Sequence, residues 1–149
     1  MKVRILLAID QFESGQSAVD FTIALATKSK ADVLVFHVRE VPSSLGIAPL
    51  ESPGEAQELV GLAVERLLVA GIAAEGDTCS DHVSCVASRI VNEATGRHCD
   101  AIILGSLRRR GIQSVMGHRT RERVLKMSPL PVLVTPPARR ASGRKMADR

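Results

Sequence analysis

Residues 100–106 read Asp-Ala-Ile-Ile-Leu-Gly-Ser, and this short stretch decides the fold class. Its apolar run, Ala101–Leu104, is too short for a helix and stops at a Gly-Ser pair, which is typical of a strand buried on both faces. A second such run, Val3–Ile9, opens the chain and ends at Asp10. The two runs predict parallel strands that each lead into a loop able to carry function.

Apolar residues at strand spacing and at helix spacing alternate along the rest of the chain. After the first strand, the predicted elements are a helix with Ala18, Phe21, Ala24 and Leu25 on one face, a strand at Ala31–Val38, a long mobile loop at Arg39–Pro53, a helix at Glu55–Ala70, a weak strand at about Ile72–Cys79, a helix at Ser84–Thr95 capped by Asp81 or Ser84, a helix at Arg119–Met127 and a strand at Pro131–Thr135. This order predicts an α/β fold, a doubly wound five-stranded parallel sheet with helices on both faces, Rossmann-like in type. We expect one domain at residues 1–137 and a basic tail at 138–149 that has little to bury.

Composition agrees with one buried core and limits the function. Of the 149 residues, 45% are hydrophobic and 2% aromatic, so the core must consist of Val, Ile, Leu and Ala. The three cysteines are an odd number without a CxxC pair, which indicates reduced thiols and a cytoplasmic protein. The first apolar run is too short for a signal peptide or a membrane span, so no membrane partner is expected.

Charge is divided unequally along the chain. Residues 1–106 carry 8 Lys and Arg against 14 Asp and Glu, a balance of −6, whereas residues 107–149 carry 12 against 2, a balance of +10. Nucleic acid is not an expected partner, because the chain has no Trp or Tyr and its three Phe residues lie in or beside core elements, which leaves no stacking platform. A small anionic ligand fits the basic third better.

In open parallel sheets, ligands bind beyond the carboxyl ends of the strands, near the point where the strand order reverses. Asp10, Val38 and the Gly105-Ser106 pair follow or end three predicted strands. We therefore expect these residues to line one crevice.

The chain resembles the universal stress protein family along nearly all of its predicted ordered length. The pieces that carry the resemblance are the strand Ile5–Asp10, the run Ala31–Val38 ending in His-Val, residues 100–106, the Glu122-Arg123-Val124-Leu125 helix and the Pro131-Val132-Leu133-Val134 strand. The resemblance implies a five-stranded parallel sheet of universal-stress type, a stress-response role and a homodimer paired through Val132–Val134.

The nucleotide-binding branch of that family carries Gly, two residues, Gly, nine residues and then Gly-Ser or Gly-Thr, a pattern that lets backbone amides surround phosphates. Here Gly105 matches the first glycine and Arg108 stands at the second. The third glycine and its hydroxyl neighbour fall on His118 and Arg119, with Gly117 and Thr120 one position away on either side. Arginines replace amides as phosphate ligands in one interpretation, and Arg108 blocks the turn in the other.

The resemblance also implies an adenosine subsite. It assigns Asp10 and Ala8 to the ribose and adenine, and the backbone of Val38 to the base, so that ATP or another adenine nucleotide is the expected ligand. An equally open alternative for Asp10 is a turn or cap acid next to the first helix.

No catalytic signature is present. P-loop, GxGxxG, GxSxG and zinc-ligand spacings are all missing, so no metal is expected beyond Mg²⁺ carried by the nucleotide. His37 lies in an apolar run and is interpreted as a hydrogen-bonded core histidine. Three functions stay open: a non-catalytic regulatory domain that binds a nucleotide, a dimeric interaction module that has lost nucleotide binding, and a weak ATP hydrolase in which Asp10 or His118 assists a water.

Overall fold

The computed structural model describes residues 2–10, 14–42, 46–105 and 112–136. The strands are β1 (Arg4–Ala8), β2 (Asp32–Val41), β3 (Ala74–His82), β4 (Ala101–Leu104) and β5 (Val132–Val134), and the helices are α1 (Ser14–Ser29), α2 (Pro53–Val69), α3 (Val86–Gly96) and α4 (Ile112–Met127). All strand pairings are parallel, in the order β3-β2-β1-β4-β5. The predicted doubly wound α/β fold with five parallel strands is confirmed.

Alternate residues of the central strands enter two separate cores. Ile5 and Leu7 of β1 pack with α1 and α2 on one face, whereas Leu6 and Ala8 pack with α3 and Val124 of α4 on the other. Both faces are apolar because strands covered by helices on both sides have no solvent face. Both layers are almost entirely aliphatic, and Phe36 is a buried aromatic residue of the second.

The face that helix α1 buries overlaps only in part with the predicted one. Ala18 is buried and Leu25 packs against the core, whereas Phe21 and Ala24 are exposed. Phe21 is 41% exposed, whereas Ala18, Thr22 and Ala26 are fully or almost fully buried. Thr22 tolerates burial because its hydroxyl donates to the carbonyl oxygen of Ala18 at 2.7 Å, which satisfies the polar group inside the helix.

Helix α2 begins with a complete capping box. The Ser52 hydroxyl accepts from the backbone N–H of Glu55, and the Glu55 carboxylate accepts from the backbone N–H of Ser52. After Val69 the chain turns at Gly71, whose φ of +82° favours glycine. The predicted glycine stop is confirmed, and the helix begins two residues earlier than predicted.

The start of α3 differs from the prediction. A single 3₁₀ turn, Val83–Cys85, precedes the helix, so Ser84 lies inside that turn. Cys85 stands at the N-cap and makes no side-chain capping bond. Asp81 instead accepts from the backbone N–H of His82 and from the Arg89 guanidinium, which leaves the predicted cap without a role there.

Candidate functional site

The strand order reverses at the carboxyl end of β1. Ala8 lies in register with Phe36 of β2 on one side and with Leu104 of β4 on the other. The chain leaves β1 toward α1 and β2, while β4 lies on the opposite side of β1. The ends of these three strands therefore border one crevice, as expected for a topological switch point.

The first wall of this crevice is the exit of β1. The backbone N–H of Ile9 donates to the carbonyl oxygen of Phe36 at 3.0 Å, so the chain stays bound to β2 for one residue beyond the strand. The next residue, Asp10, is half-buried and lies close enough to Glu40 for its charge to raise the pKa of Glu40. A carboxylate thus stands at the strand exit beside the buried Ala8.

The second wall is β2, which extends three residues beyond its predicted end, to Val41. Val38 is buried at the level of the β1 exit. The prediction of a hydrogen-bonded core histidine at His37 is confirmed: the ring is 4% exposed, Nδ1 lies 2.8 Å from the carbonyl oxygen of Ile9, and Nε2 contacts Oε1 of Glu51.

Glu51 was not predicted from the sequence, since it lies in the segment that reads as a loop. It is buried, and its carbonyl oxygen accepts from the Arg39 guanidinium at 3.1 Å. The contacts with His37 and Arg39 fix the end of this segment on β2, directly before the Ser52 cap. The sole sequence signal for Glu51 is that it is an acid four residues before Glu55, the acid of the capping box.

The third wall is the exit of β4, which β5 supports. Thr135 is buried and directs its backbone N–H and its hydroxyl to the carbonyl oxygen of Leu104, at 2.9 and 3.3 Å. The hydroxyl of Ser17 in α1 donates to the carbonyl oxygen of Pro136 at 3.1 Å. The half-buried Gly105 therefore leaves the sheet next to a braced strand end that the sequence did not predict as part of the site.

Of the residues predicted to follow Gly105 at the phosphate end, two lie outside the described part of the chain and four lie in α4. Ser106 and Arg108 lie outside the described residues. Helix α4 begins at Ile112, seven residues before its predicted start, so Gly117, His118, Arg119 and Thr120 all belong to the helix. Only the first four N–H groups of a helix lack partners within it. The backbone N–H groups at these four positions are therefore not free for a phosphate, whereas the side chain of Arg119 is exposed.

The thiols and the possible metal ligands in the described part of the chain bear on the chemistry it can carry out. Burial raises the pKa of both Cys79 and Cys99, which keeps these thiols protonated and poorly nucleophilic near neutral pH. Among the described residues, no group of three or more His, Cys, Asp or Glu side chains could hold a metal ion. None of the described helices is long and apolar enough to cross a membrane.

Backbone groups, a carboxylate and a glycine at a strand end are suited to a nucleotide. Adenine and ribose need hydrogen-bonding groups beside an apolar wall, which Asp10 and the buried Val38 offer. Gly105 at the end of β4 allows a ligand to approach the backbone closely. The described residues of the site fit the adenosine end of such a group.

Comparison with solved structures gives the same fold. A universal stress protein from Burkholderia pseudomallei is 23% identical, with 89% of this chain and 95% of that chain covered and a TM-score of 0.68. One from Archaeoglobus fulgidus in complex with dAMP is 21% identical, covering 89% and 97%, with a TM-score of 0.67. One in complex with cAMP is 17% identical, covering 89% and 95%, with a TM-score of 0.67.

Comparison with curated protein sequences gives no significant match. The model of the universal stress protein family matches residues 1–136, which is nearly the whole chain. The strand order, the exits of β1, β2 and β4 and this match all agree with the resemblance drawn from the sequence. The chain belongs to the universal stress protein family.

Proposed function

We propose that this chain is a non-catalytic stress-response regulator that binds ATP or another adenine nucleotide at the carboxyl ends of β1, β2 and β4. The observation that supports the proposal is the register of Ala8 between Phe36 and Leu104, which sets β1 between the two strands that carry Val38 and lead to Gly105. The dAMP and cAMP complexes of two structural neighbours support adenine nucleotides as the ligand class.

The two ends of the ligand would meet different chemistry. Asp10 accepts from ribose hydroxyls, and backbone groups at Val38 meet the base. The phosphates face Gly105 and the basic residues that follow it, where Arg108 and Arg119 supply donors in place of missing glycine amides. Mg²⁺ enters only with the nucleotide. We place the protein in the cytoplasm, where its cysteines stay reduced.

Ligand identification tests this function directly. The purified protein is denatured, the released small molecules are identified by mass spectrometry, and ATP, ADP and cyclic AMP are titrated into ligand-free protein by calorimetry. We expect binding of at least one nucleotide and its loss in Asp10→Ala. The control is Asp20→Ala, which removes an exposed carboxylate on α1 and should bind normally. No released nucleotide and no heat of binding would reject the proposal.

We also propose that two copies pair through β5. This strand bonds to β4 on one side, and among the described strands no other pairs with it. Leu133 and Val134 are 42% and 39% exposed, and an exposed apolar edge strand tends to acquire a partner strand. The same exposed edge supports the second candidate function, a dimeric interaction module that no longer binds nucleotide.

A further inference from the structure

A buried histidine and a buried glutamate join three segments at the adenosine end of the crevice. His37 and Glu51 are 4% and 9% exposed. The His37 ring lies between the carbonyl oxygen of Ile9, 2.8 Å from Nδ1, and Oε1 of Glu51, which contacts Nε2. On the neighbouring strand the residue in register with His37 is Thr78, which carries no charge.

The geometry determines how many protons the pair of side chains shares. A backbone carbonyl oxygen can only accept, so Nδ1 must be protonated to bond to Ile9. Nε2 and a carboxylate oxygen are then both acceptors, and their contact also requires a proton between them. An imidazolium ring donating to the Glu51 carboxylate satisfies both contacts.

Three further charged residues among those described lie near the pair. The charge of Asp10, at the exit of β1, interacts with that of Glu40 on β2. Glu40 also interacts with His37. The guanidinium of Arg39 bonds to the backbone carbonyl oxygen of Glu51 rather than to its carboxylate. Glu51 and Glu40 thus interact with the ring, and the guanidinium of Arg39 leaves the Glu51 carboxylate to it.

The pair also fixes the chain on both sides of the crevice. Ile9 and Asp10 leave β1 on one side of the ring, and Val38 follows it on β2. Glu51 ends the exposed segment 46–50 and precedes Ser52, the N-cap of α2. Without the bond to His37, the end of this segment would keep only the Arg39 contact described above and the helix cap.

We propose that His37 and Glu51 form a proton-holding pair that positions Asp10 and Val38 for the adenosine end of the ligand, so that nucleotide binding weakens as rising pH removes the proton. Loss of that proton leaves two acceptors facing each other in a buried place, which breaks the bond and releases Glu51. The inference rests on the proposed function, and both residues act by positioning.

The ring itself is tested first, in ligand-free protein. Nitrogen NMR of His37 at about pH 7 should show both ring nitrogens protonated in the wild type and Nδ1 alone protonated in Glu51→Gln, because the amide can donate to a neutral ring. The control, Glu58→Gln, removes an exposed carboxylate from α2 and should match the wild type. A singly protonated wild-type ring would overturn the proposal without any reference to a ligand.

Release of the segment is tested by thermolysin cleavage within residues 46–52. The wild-type rate should rise by about fivefold or more between about pH 6.5 and 9, relative to an unstructured reference peptide, since released segments are cleaved faster. Glu51→Gln keeps a neutral hydrogen bond and should show no such rise, whereas Glu51→Ala should be cleaved rapidly throughout. Equal pH profiles in wild type and Glu51→Gln would contradict the pair as the cause.

Positioning is tested by calorimetry with cyclic AMP and ATP over the same pH range. The ratio of Kd in the wild type to Kd in Glu51→Gln should rise about threefold or more with pH, and a ratio cancels any titration of the ligand itself. Glu58→Gln should follow the wild type. A constant ratio would overturn the positioning role, whereas absence of any binding would reject the proposed function and leave the NMR result to judge the pair.

Discussion

Gly76 of β3 lies against Val60 of α2 with no space for a methyl group between them. A Cβ built on Gly76 would overlap Cγ1 of Val60 and lie 2.9 Å from Cγ2 of Val64. The close approach of helix and strand therefore depends on the missing side chain. We expect Gly76→Ala to lower the free energy of unfolding by about 1–3 kcal/mol through overpacking, measured by urea denaturation.

A double-mutant cycle separates this contact from other effects. Val60→Ala in the Gly76→Ala background should restore part of the lost stability, with a coupling of about 0.5–3 kcal/mol. The matched control is Gly61→Ala in the same helix, where no atom lies within 4 Å of the added Cβ. That change should stabilise by about 0.5–1 kcal/mol. Equal effects at positions 61 and 76 would refute the packing argument.

Glu40 should make stability depend on pH. Its pKa lies above the ordinary value of 4.5, because packing removes part of its hydration and because Asp10 and Glu51 lie near, while His37 acts in the opposite direction. The folded chain then holds this proton more tightly than the unfolded chain. The stability it contributes is full below about pH 4.5 and is lost as the pH rises through the raised value.

Glu40→Gln removes this titration. We expect the variant to be more stable than the wild type near pH 7.5, where the wild-type carboxylate is charged, and equal to it near pH 4. Urea denaturation at both pH values measures the difference. Glu65→Gln, an exposed carboxylate on α2, serves as the control and should show no comparable change. A Glu40→Gln variant less stable than the wild type near pH 7.5 would show that the sign is wrong.

Leu133→Lys should abolish the proposed dimer. A charged side chain on an edge strand opposes pairing with a second strand. The molecular mass measured by analytical sedimentation should be twice 16.0 kDa for the wild type and 16.0 kDa for the variant. Val69→Lys changes an apolar residue that is 83% exposed on α2 and should leave the dimer intact. A monomeric wild type would contradict the prediction.

Arg108→Gly tests how the phosphate end is bound. If the arginine binds phosphate, its loss should weaken ATP binding by about tenfold, the size expected for one charge-assisted hydrogen bond, and leave adenosine binding unchanged. Arg140→Gly, in the predicted tail, makes the same change in charge as a control. New ATP affinity in Arg108→Gly, with none in the wild type, would favour the interaction module.

The sheet and its switch point were predictable because uninterrupted apolar runs such as Ala101–Leu104 are long enough for a strand and too short for a helix. The buried face of α1 was not predictable, because it includes the polar residue Thr22. Its hydroxyl bonds to a carbonyl oxygen of the same helix, which allows it to be buried. Phe21 was assigned to the core on hydrophobicity alone. Side-chain hydrogen bonds within a helix leave no trace in a hydropathy pattern.

Val38 was predicted to end its strand but lies three residues before the end of β2. The place of Asp10 just beyond β1 was predictable from the apolar run that precedes it. Glu51 was not, because its contact with His37 joins positions 14 apart across a segment punctuated by proline and glycine. The early start of α4 was also missed, since glycine and arginine at 105–111 read as a loop with no capping residue to mark the helix. A tertiary contact therefore decides the place of Glu51.

The two edges of the sheet have opposite chemistry. β5 presents Leu133 and Val134, whereas the outer strand β3 carries Glu75, Asp77 and Asp81 in ion pairs with arginines. Charged side chains of this kind oppose the addition of another strand. A molecule with a single edge that can pair forms a closed two-fold dimer, because no second edge is then free to bind a third copy. In the proposed dimer, the acids of β3 would oppose growth into open filaments, and replacing them with apolar residues would remove that protection.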